Sequence, residues 1–339
     1  MPIKVAINGF GRIGRLVLRA WLGRVDTSLQ IVAVNDLGDV SVLRHLLHYD
    51  SVHGRYEGAT KWQGETLVTE KGAIRFVCEP DPQRLPWSEV GVDIVLECSG
   101  RFTTRKAAAA HLEAGAQKVL VSAPCADADM TLVYGVNHHA LGKEHDVVSN
   151  ASCTTNCLVP VVHVVDKLCG LDYGYMTTVH SYTGDQKVVD MVHKDMRRAR
   201  AASLSMIPTT SGAARAVCLV LPHLEGRIDG CAVRVPTPNV SLADLTFVAS
   251  KDVSKEALHD AMRRHAQGPL QGILALNDAP LVSSDFIGHP ASSIFDETQT
   301  HVMGKRFVRV VAWYDNEWGF SNRMLDSAQC LARHLSRHG

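Results

Sequence analysis

The chain of 339 residues has no excess of either charge: 35 Lys and Arg stand against 35 Asp and Glu. That balance gives no electrostatic reason to expect a nucleic acid or an acidic membrane surface as partner. No apolar run approaches the roughly 18 residues of a membrane span. The N-terminus lacks a charged segment leading into an apolar core, so no secretory leader is expected. The nine cysteines, scattered from Cys78 to Cys330, read as reduced thiols of a cytoplasmic protein, not as a disulfide framework. Only Cys153 and Cys157 lie close together, and no second Cys or His pair completes a zinc site, so no metal is expected. Repeats and low-complexity tracts are also missing. What remains is a composition typical of globular proteins, 46% hydrophobic and 21% charged, in a chain long enough for two domains.

The first half alternates short apolar runs with helical patterns. Ile3–Ile7, Gln30–Val34, Val92–Glu97 and Lys118–Ser122 read as strands, and Arg12–Leu22 and Thr104–Ala114 as helices. Continuous apolar strands joined through helices predict an α/β unit with a parallel sheet covered on both faces. The pattern changes after Asn150. Thr154–Leu168 reads as a helix that Pro160 should bend. Longer strand-like runs follow at Tyr175–Ser181, Cys231–Val235, Ala243–Ala249 and Phe307–Tyr314, which suit an α+β domain with a mixed or antiparallel sheet. Asp185–Ser205 is polar, without a clean period, and reads as a long functional loop. Ser321–Leu335 returns to a helical pattern. The expected division is residues 1–151 completed by a C-terminal helix within 320–339, and residues 152–319.

Gly9, Gly11 and Gly14 form a G-x-G-x-x-G between the first strand and the first helix. Glycines there permit a tight turn and bring backbone N–H groups of the helix start close to a pyrophosphate, with Arg12 and Ile13 in the same turn. Asp36 ends the second strand 22 positions after Gly14. An acid there holds ribose hydroxyls and repels a 2′-phosphate, favouring NAD over NADP. This is the signature of a Rossmann-type dinucleotide unit. Ser99-Gly100 and Ser122 follow further strands, where ligands sit in such sheets; either place is equally an ordinary turn.

Ser152-Cys153-Thr154 places a thiol among small hydroxyl residues where a helix begins. Helix-start N–H groups and the dipole are expected to lower its pKa and favour the thiolate nucleophile. The other cysteines, Cys157 included, read as buried structural thiols. His180 is one of 17 histidines, and only its pairing with Cys153 as an acid/base partner would single it out.

Seven segments together resemble the phosphorylating glyceraldehyde-3-phosphate dehydrogenases: NGFGRIGR at Asn8–Arg15, ASCTTNC at Ala151–Cys157, MTTVHSYTGDQ at Met176–Gln186, RRARA at Arg197–Ala201, IPTTSGAA at Ile207–Ala214, RVPTPN at Arg234–Asn239 and WYDNEWGFSN at Trp313–Asn322. They span nearly the whole chain in the family's order. The resemblance implies that Cys153 attacks the aldehyde of glyceraldehyde 3-phosphate and that His180 accepts the hydroxyl proton during oxidation with NAD. A thioester on Cys153 would then be released by inorganic phosphate as 1,3-bisphosphoglycerate. Thr183, Asp185 and Arg234 match positions that hold the substrate phosphate. Ser152, Thr154, Arg198, Ser211 and Gly212 match those around the attacking phosphate. Asn316 matches the residue that bonds the nicotinamide carboxamide, and the 185–205 segment matches a loop lining the cofactor site of a neighbouring subunit in a homotetramer.

Four positions depart from the family pattern: Phe320 stands where tyrosine is frequent, Val192 where proline is, Pro80 where a basic residue is, and Ser211 where threonine is. The erythrose-4-phosphate dehydrogenases share the cysteine–histidine chemistry but release the acyl group to water. A non-catalytic dinucleotide-binding scaffold would be marked by loss of Cys153 or His180, and both are present.

Overall fold

The computed structural model describes residues 2–25 and 28–335. The chain divides into two compact units: Met1–Ser152 with Ser321–Gly339, and Cys153–Phe320. Residues 336–339 of the expected C-terminal segment lie outside the described residues.

In the first unit, a nine-stranded sheet runs in the order Met130–Thr131, Val147–Ser149, Lys118–Val121, Ile94–Glu97, Ile3–Asn8, Leu29–Asn35, Gly72–Val77, Thr66–Thr69 and Thr60–Gln63. Pairing is parallel as far as Gly72–Val77, and the last two strands join antiparallel. The central strands are buried toward their carboxyl ends, and IVLE at Ile94–Glu97 is buried throughout and closes on a polar residue, the pattern expected when both faces are covered. From Ile3–Asn8 the chain steps first to Leu29–Asn35 on one side and later to Ile94–Glu97 on the other. This reversal opens a crevice at the carboxyl ends of those strands. The expected helix over Thr104–Ala114 is instead two short segments, Arg105–Ala108 and Ala110–Glu113. The ladder tightens at Ala109, whose carbonyl accepts from Leu112 three residues on, and His111 turns fully into the core. The helix Trp318–Ala332 carries Asp326, which pairs with Arg24 (2.7 Å), and Ser327, which donates to Asn150 (2.6 Å).

The second unit is built on an eight-stranded mixed sheet, ordered Ile207–Thr210, Ile228–Val235, Leu171–Ser181, Ser241–Ala249, Phe307–Tyr314, Ser293–Asp296 and Leu274–Asn277, with His301–Met303 paired to Phe307–Tyr314. The helix Cys153–Cys169 runs on through Pro160 and packs on this sheet, flanked by the helices Ala213–Val220 and Lys255–Ala266. Period-two burial in Ser241–Ala249 puts Ala243, Leu245 and Phe247 beneath the helices and leaves Leu242, Asp244 and Thr246 on the more open face.

The packing makes a graded prediction. Phe247→Ala should destabilise the C-terminal unit by about 3–5 kcal/mol through a core cavity, whereas Val248→Ala on the open face should cost clearly less. Urea unfolding followed in parallel for the two variants checks this; equal losses would contradict the assigned faces.

Candidate active site

The crevice of the first unit is a cleft of about 370 Å³ lined by Asn8, Gly9, Gly11, Asn35, Asp36, Leu37, Glu79, Pro80 and Ser99 among others. Gly9 is left-handed (φ 92°), and a Cβ there would run into the Ser99 backbone. A Cβ on Gly14 would overlap the Gly9 carbonyl oxygen. Gly11 caps the helix Arg12–Gly23 with no side-chain hydrogen bond to its first turn, which leaves those N–H groups for an anion. Asp36 accepts from Phe10 N (2.6 Å) and Gly38 N (2.8 Å) at the same cleft. A tight glycine cradle, helix-start donors and an acid at the end of the second strand fit a dinucleotide with free ribose hydroxyls.

Two expected cofactor residues are placed differently. The Arg12 guanidinium is ion-paired with Asp50. Burial alone would raise the Asp50 carboxyl, but N–H donors of His53 and Val52 together with Arg12 bring it down to about 2. What Arg12 offers an anion is therefore its place in the helix's first turn, beside Ile13. Ser122 is not among the cleft-lining residues. Its N–H donates to the Glu97 carbonyl (2.9 Å). Its hydroxyl bonds the thiol of Cys98, a half-buried residue that does line the cleft and whose thiol is pushed well above its usual range by desolvation.

The residue that sequence reasoning passed over is Glu97, the last of its strand and 1% exposed. One carboxylate oxygen accepts from Ser99 N (2.8 Å) and Ser99 Oγ (2.5 Å). The other accepts from Asn8 Nδ2 (2.5 Å) and His111 Nε2 (2.9 Å). His111 Nδ1 accepts from Trp87 Nε1 (3.1 Å), so Nε2 carries the proton that Glu97 receives. Asn35 donates to Asn8 Oδ1 (2.7 Å). The strand ends beneath the cleft are thus tied through one buried carboxylate. A charged residue closing an otherwise apolar strand was the available signal.

In the second unit, Cys153 opens the helix Cys153–Cys169 and His180 stands near the end of the strand Leu171–Ser181. Sγ and Nε2 are 3.6 Å apart. His180 Nδ1 lies 2.7 Å from the Ser181 carbonyl, which also accepts from Arg234 Nη1 (3.0 Å). Both lone pairs of that oxygen are used, Nδ1 carries the proton, and Nε2 presents a lone pair to the thiol. Burial, reinforced by Arg234, pushes the imidazole down to about 3.

The expected lowering of the thiol pKa by the helix start is corrected. Arg234, the Thr154 hydroxyl and the Thr154 and Cys153 N–H groups do act downward, but burial outweighs them and raises the thiol. Neither group ionises readily alone. Moving the proton from Sγ to Nε2 instead creates opposite charges 3.6 Å apart, which stabilise one another.

Tyr314 was also passed over. Its hydroxyl joins Thr154 Oγ1 (2.8 Å) and Thr178 Oγ1 (2.9 Å), and its ring meets His180 edge-on with centroids 5.9 Å apart. Burial raises the phenol well above its normal range, which keeps it neutral. The Thr154 hydroxyl, expected at a phosphate, is thus turned inward. Asp185 is placed differently too. Burial alone would raise its carboxyl, but hydrogen bonds from Arg198 and His193 hold it below its usual value, and an ionised carboxylate repels phosphate. It anchors Arg198 Nη1 (2.9 Å), whose Nε bonds Thr209 (3.0 Å). Ser211 and Gly212 lie at the start of the helix Ala213–Val220, Thr183 is half-buried, and Ser152 immediately precedes the Cys153 helix. Asn316 is buried, with its Oδ1 2.9 Å from Ser181 Oγ.

Residues 3–105 match the family model described as glyceraldehyde 3-phosphate dehydrogenase, NAD binding domain, and residues 152–316 that described as glyceraldehyde 3-phosphate dehydrogenase, C-terminal domain. The chain is 56% identical over 333 residues to a glyceraldehyde-3-phosphate dehydrogenase of Xanthobacter flavus, covering 98% of this chain and 99% of that protein. It is 55% identical over 335 residues to one of Cereibacter sphaeroides (99% and 100%) and 53% over 333 residues to one of Geobacillus stearothermophilus (98% and 99%). The chain belongs to the glyceraldehyde 3-phosphate dehydrogenase family.

Two substitutions probe the two units. Gly14→Ala should weaken NAD binding at least tenfold by moving the glycine turn, measured by calorimetry; unchanged affinity would contradict the cradle. His180→Asn should slow alkylation of Cys153 at neutral pH and move its inflection to higher pH, because the thiol keeps its burial and loses the base. An unshifted profile would contradict the pairing.

Proposed function

We propose that the chain oxidises D-glyceraldehyde 3-phosphate to 1,3-bisphosphoglycerate with NAD and inorganic phosphate. The observation that carries this reading is the Cys153 thiol facing a bare His180 Nε2, in a chain of this family. Cys153 Sγ attacks the aldehyde carbon while its proton passes by way of Nε2 to the new hydroxyl, giving a thiohemiacetal. NAD, when bound, supplies the hydride acceptor. Nε2 takes the hydroxyl proton as the carbon is oxidised, leaving a thioester on Sγ and an imidazolium whose Nδ1–H is held by Ser181. A phosphate oxygen then attacks the acyl carbon, and Sγ leaves as a thiolate favoured by Arg234 and the helix-start N–H groups.

Gly9, Gly11, Gly14, the first turn at Arg12 and Ile13, and Asp36 would hold the dinucleotide, with Asn316 on its carboxamide. Thr183 and Arg234 would hold the substrate phosphate. Arg198, anchored by Asp185, would receive the attacking phosphate with Ser211, Gly212 and Ser152. Guanidinium forks and hydroxyl donors suit phosphate oxygens.

The expected homotetramer is supported by apolar residues that the single chain leaves exposed. These include Val188, Val189, Val192, Met196 and Leu204 in the long loop and Tyr173 and Tyr175 on the adjoining strand. A cytoplasmic location suits the free cysteines, and among the described residues no helix is long and apolar enough to cross a membrane.

NAD reduction should require glyceraldehyde 3-phosphate and phosphate together, and Cys153→Ser should abolish it. Equal turnover without phosphate, or faster turnover of erythrose 4-phosphate, would overturn the substrate and acceptor assignments. Full activity of the serine variant would sink the mechanism.

A further inference from the structure

Ser181, whose carbonyl fixes the His180 tautomer, gives its own N–H to a hydroxyl. Main-chain pairing between Leu171–Ser181 and Ser241–Ala249 ends at Val179 and Leu242, so on that side Ser181 lies beyond the ladder, while on the other its register with Val235 continues. Its N–H donates to Ser241 Oγ (3.1 Å). Ser241 enters its strand from Val240, a buried β-branched residue held left-handed at φ 65°. That conformation is costly for valine and persists only where the surroundings impose it. It sets Ser241 inward, with 1% of its surface exposed.

The Ser241 hydroxyl serves a second partner. It donates to Asn316 Oδ1 (3.2 Å), which also accepts from Ser181 Oγ (2.9 Å). Both acceptor positions of the amide oxygen are taken by buried hydroxyls. Turning the amide over would take the acceptor from the Ser181 hydroxyl and leave Ser241 Oγ only its longer contact to Ser181 Oγ (3.4 Å), which favours Nδ2 as the arm that Asn316 presents.

We propose that Ser241 is a positioning residue for both halves of the reaction, steadying the Ser181 carbonyl behind His180 and aiming the Asn316 amide at the nicotinamide carboxamide. The Asn316 half rests on the reading given under Proposed function; the His180 half does not. The other groups facing His180 are Cys153 from the helix, Arg234 from the strand Ile228–Val235, Arg198 from the long loop and Tyr314 from the strand Phe307–Tyr314. None of them replaces the Ser241 bond to Ser181 N.

The test uses full-length protein freed of nucleotide. It measures the pH profile of Cys153 alkylation by iodoacetamide and, separately, the NAD dissociation constant by calorimetry. Ser241→Ala should move the alkylation inflection to higher pH, because the imidazolium loses a firmly held acceptor for its Nδ1–H, and should weaken NAD roughly tenfold. Ser241→Thr keeps the hydroxyl and should restore both. Ser181→Ala removes only one donor to Asn316, so NAD should weaken while the alkylation profile stays put. An unchanged profile and affinity in Ser241→Ala would overturn the proposal, as would equal defects in the alanine and threonine variants. Should Ser241→Ala fail to fold, Ser181→Ala decides: a shifted alkylation profile or unaltered NAD affinity overturns the assignment. Absence of turnover in the unsubstituted protein would sink the proposed reaction and leave the alkylation comparison standing.

Discussion

The chemistry of the C-terminal unit depends on the hydrogen bond from His180 Nδ1 to the Ser181 carbonyl, 2.7 Å long and buried. With Nδ1 committed as donor, Nε2 has no proton in the neutral ring and can take one from the thiol 3.6 Å away. Were Nδ1 instead to accept from Arg234, Nε2 would carry the proton and the pair would lose its base. Arg234 lies close enough for that alternative, at 2.9 Å. The shared carbonyl resolves the competition by accepting from both. Arg234 then opposes charge on the imidazole and favours charge on the sulfur, which makes it a better neighbour to the leaving thiolate than to the imidazolium.

The first unit rests on a comparable constraint. Glu97 is a buried carboxylate whose oxygens are filled by Ser99, Asn8 and His111. Isolated, such a charge would cost several kcal/mol to bury; with its hydrogen bonds complete it ties neighbouring strand ends together. The glycine turn and the Ser99 turn approach so closely that no Cβ fits at Gly9. Glycine there and the glutamate beneath serve one geometry, the first by permitting the approach and the second by holding it.

The parts legible in the sequence were those with a local cause. Apolar strands, the glycine turn and Asp36 follow from rules spanning a few residues, and the parallel sheet follows from their alternation. His180 could not be selected from 17 histidines by position; its role depends on Cys153, 27 residues away in the chain, and on Arg234, 54 away. The family motifs supplied that pairing where local reasoning could not. One expectation was overturned because burial is non-local, and one expected phosphate residue is engaged by a partner distant in sequence. The thiol at the helix start is raised by its surroundings despite the dipole, and Asp185 is spent on Arg198. Thr154 and Tyr314 show the same limit, since a hydroxyl in a motif does not reveal whether it faces a ligand or the core, and Ser241 lies outside every motif.

The central claim is that the Ser181 carbonyl holds His180 in the tautomer with Nε2 bare. Nitrogen-15 NMR of histidine-labelled Cys153→Ser protein, in which thiolate formation is removed, reads the two ring nitrogens directly. At neutral pH the account predicts a protonated Nδ1 and an unprotonated Nε2 for the resonance absent from the additional His180→Asn variant. A protonated Nε2 with a bare Nδ1 would contradict it.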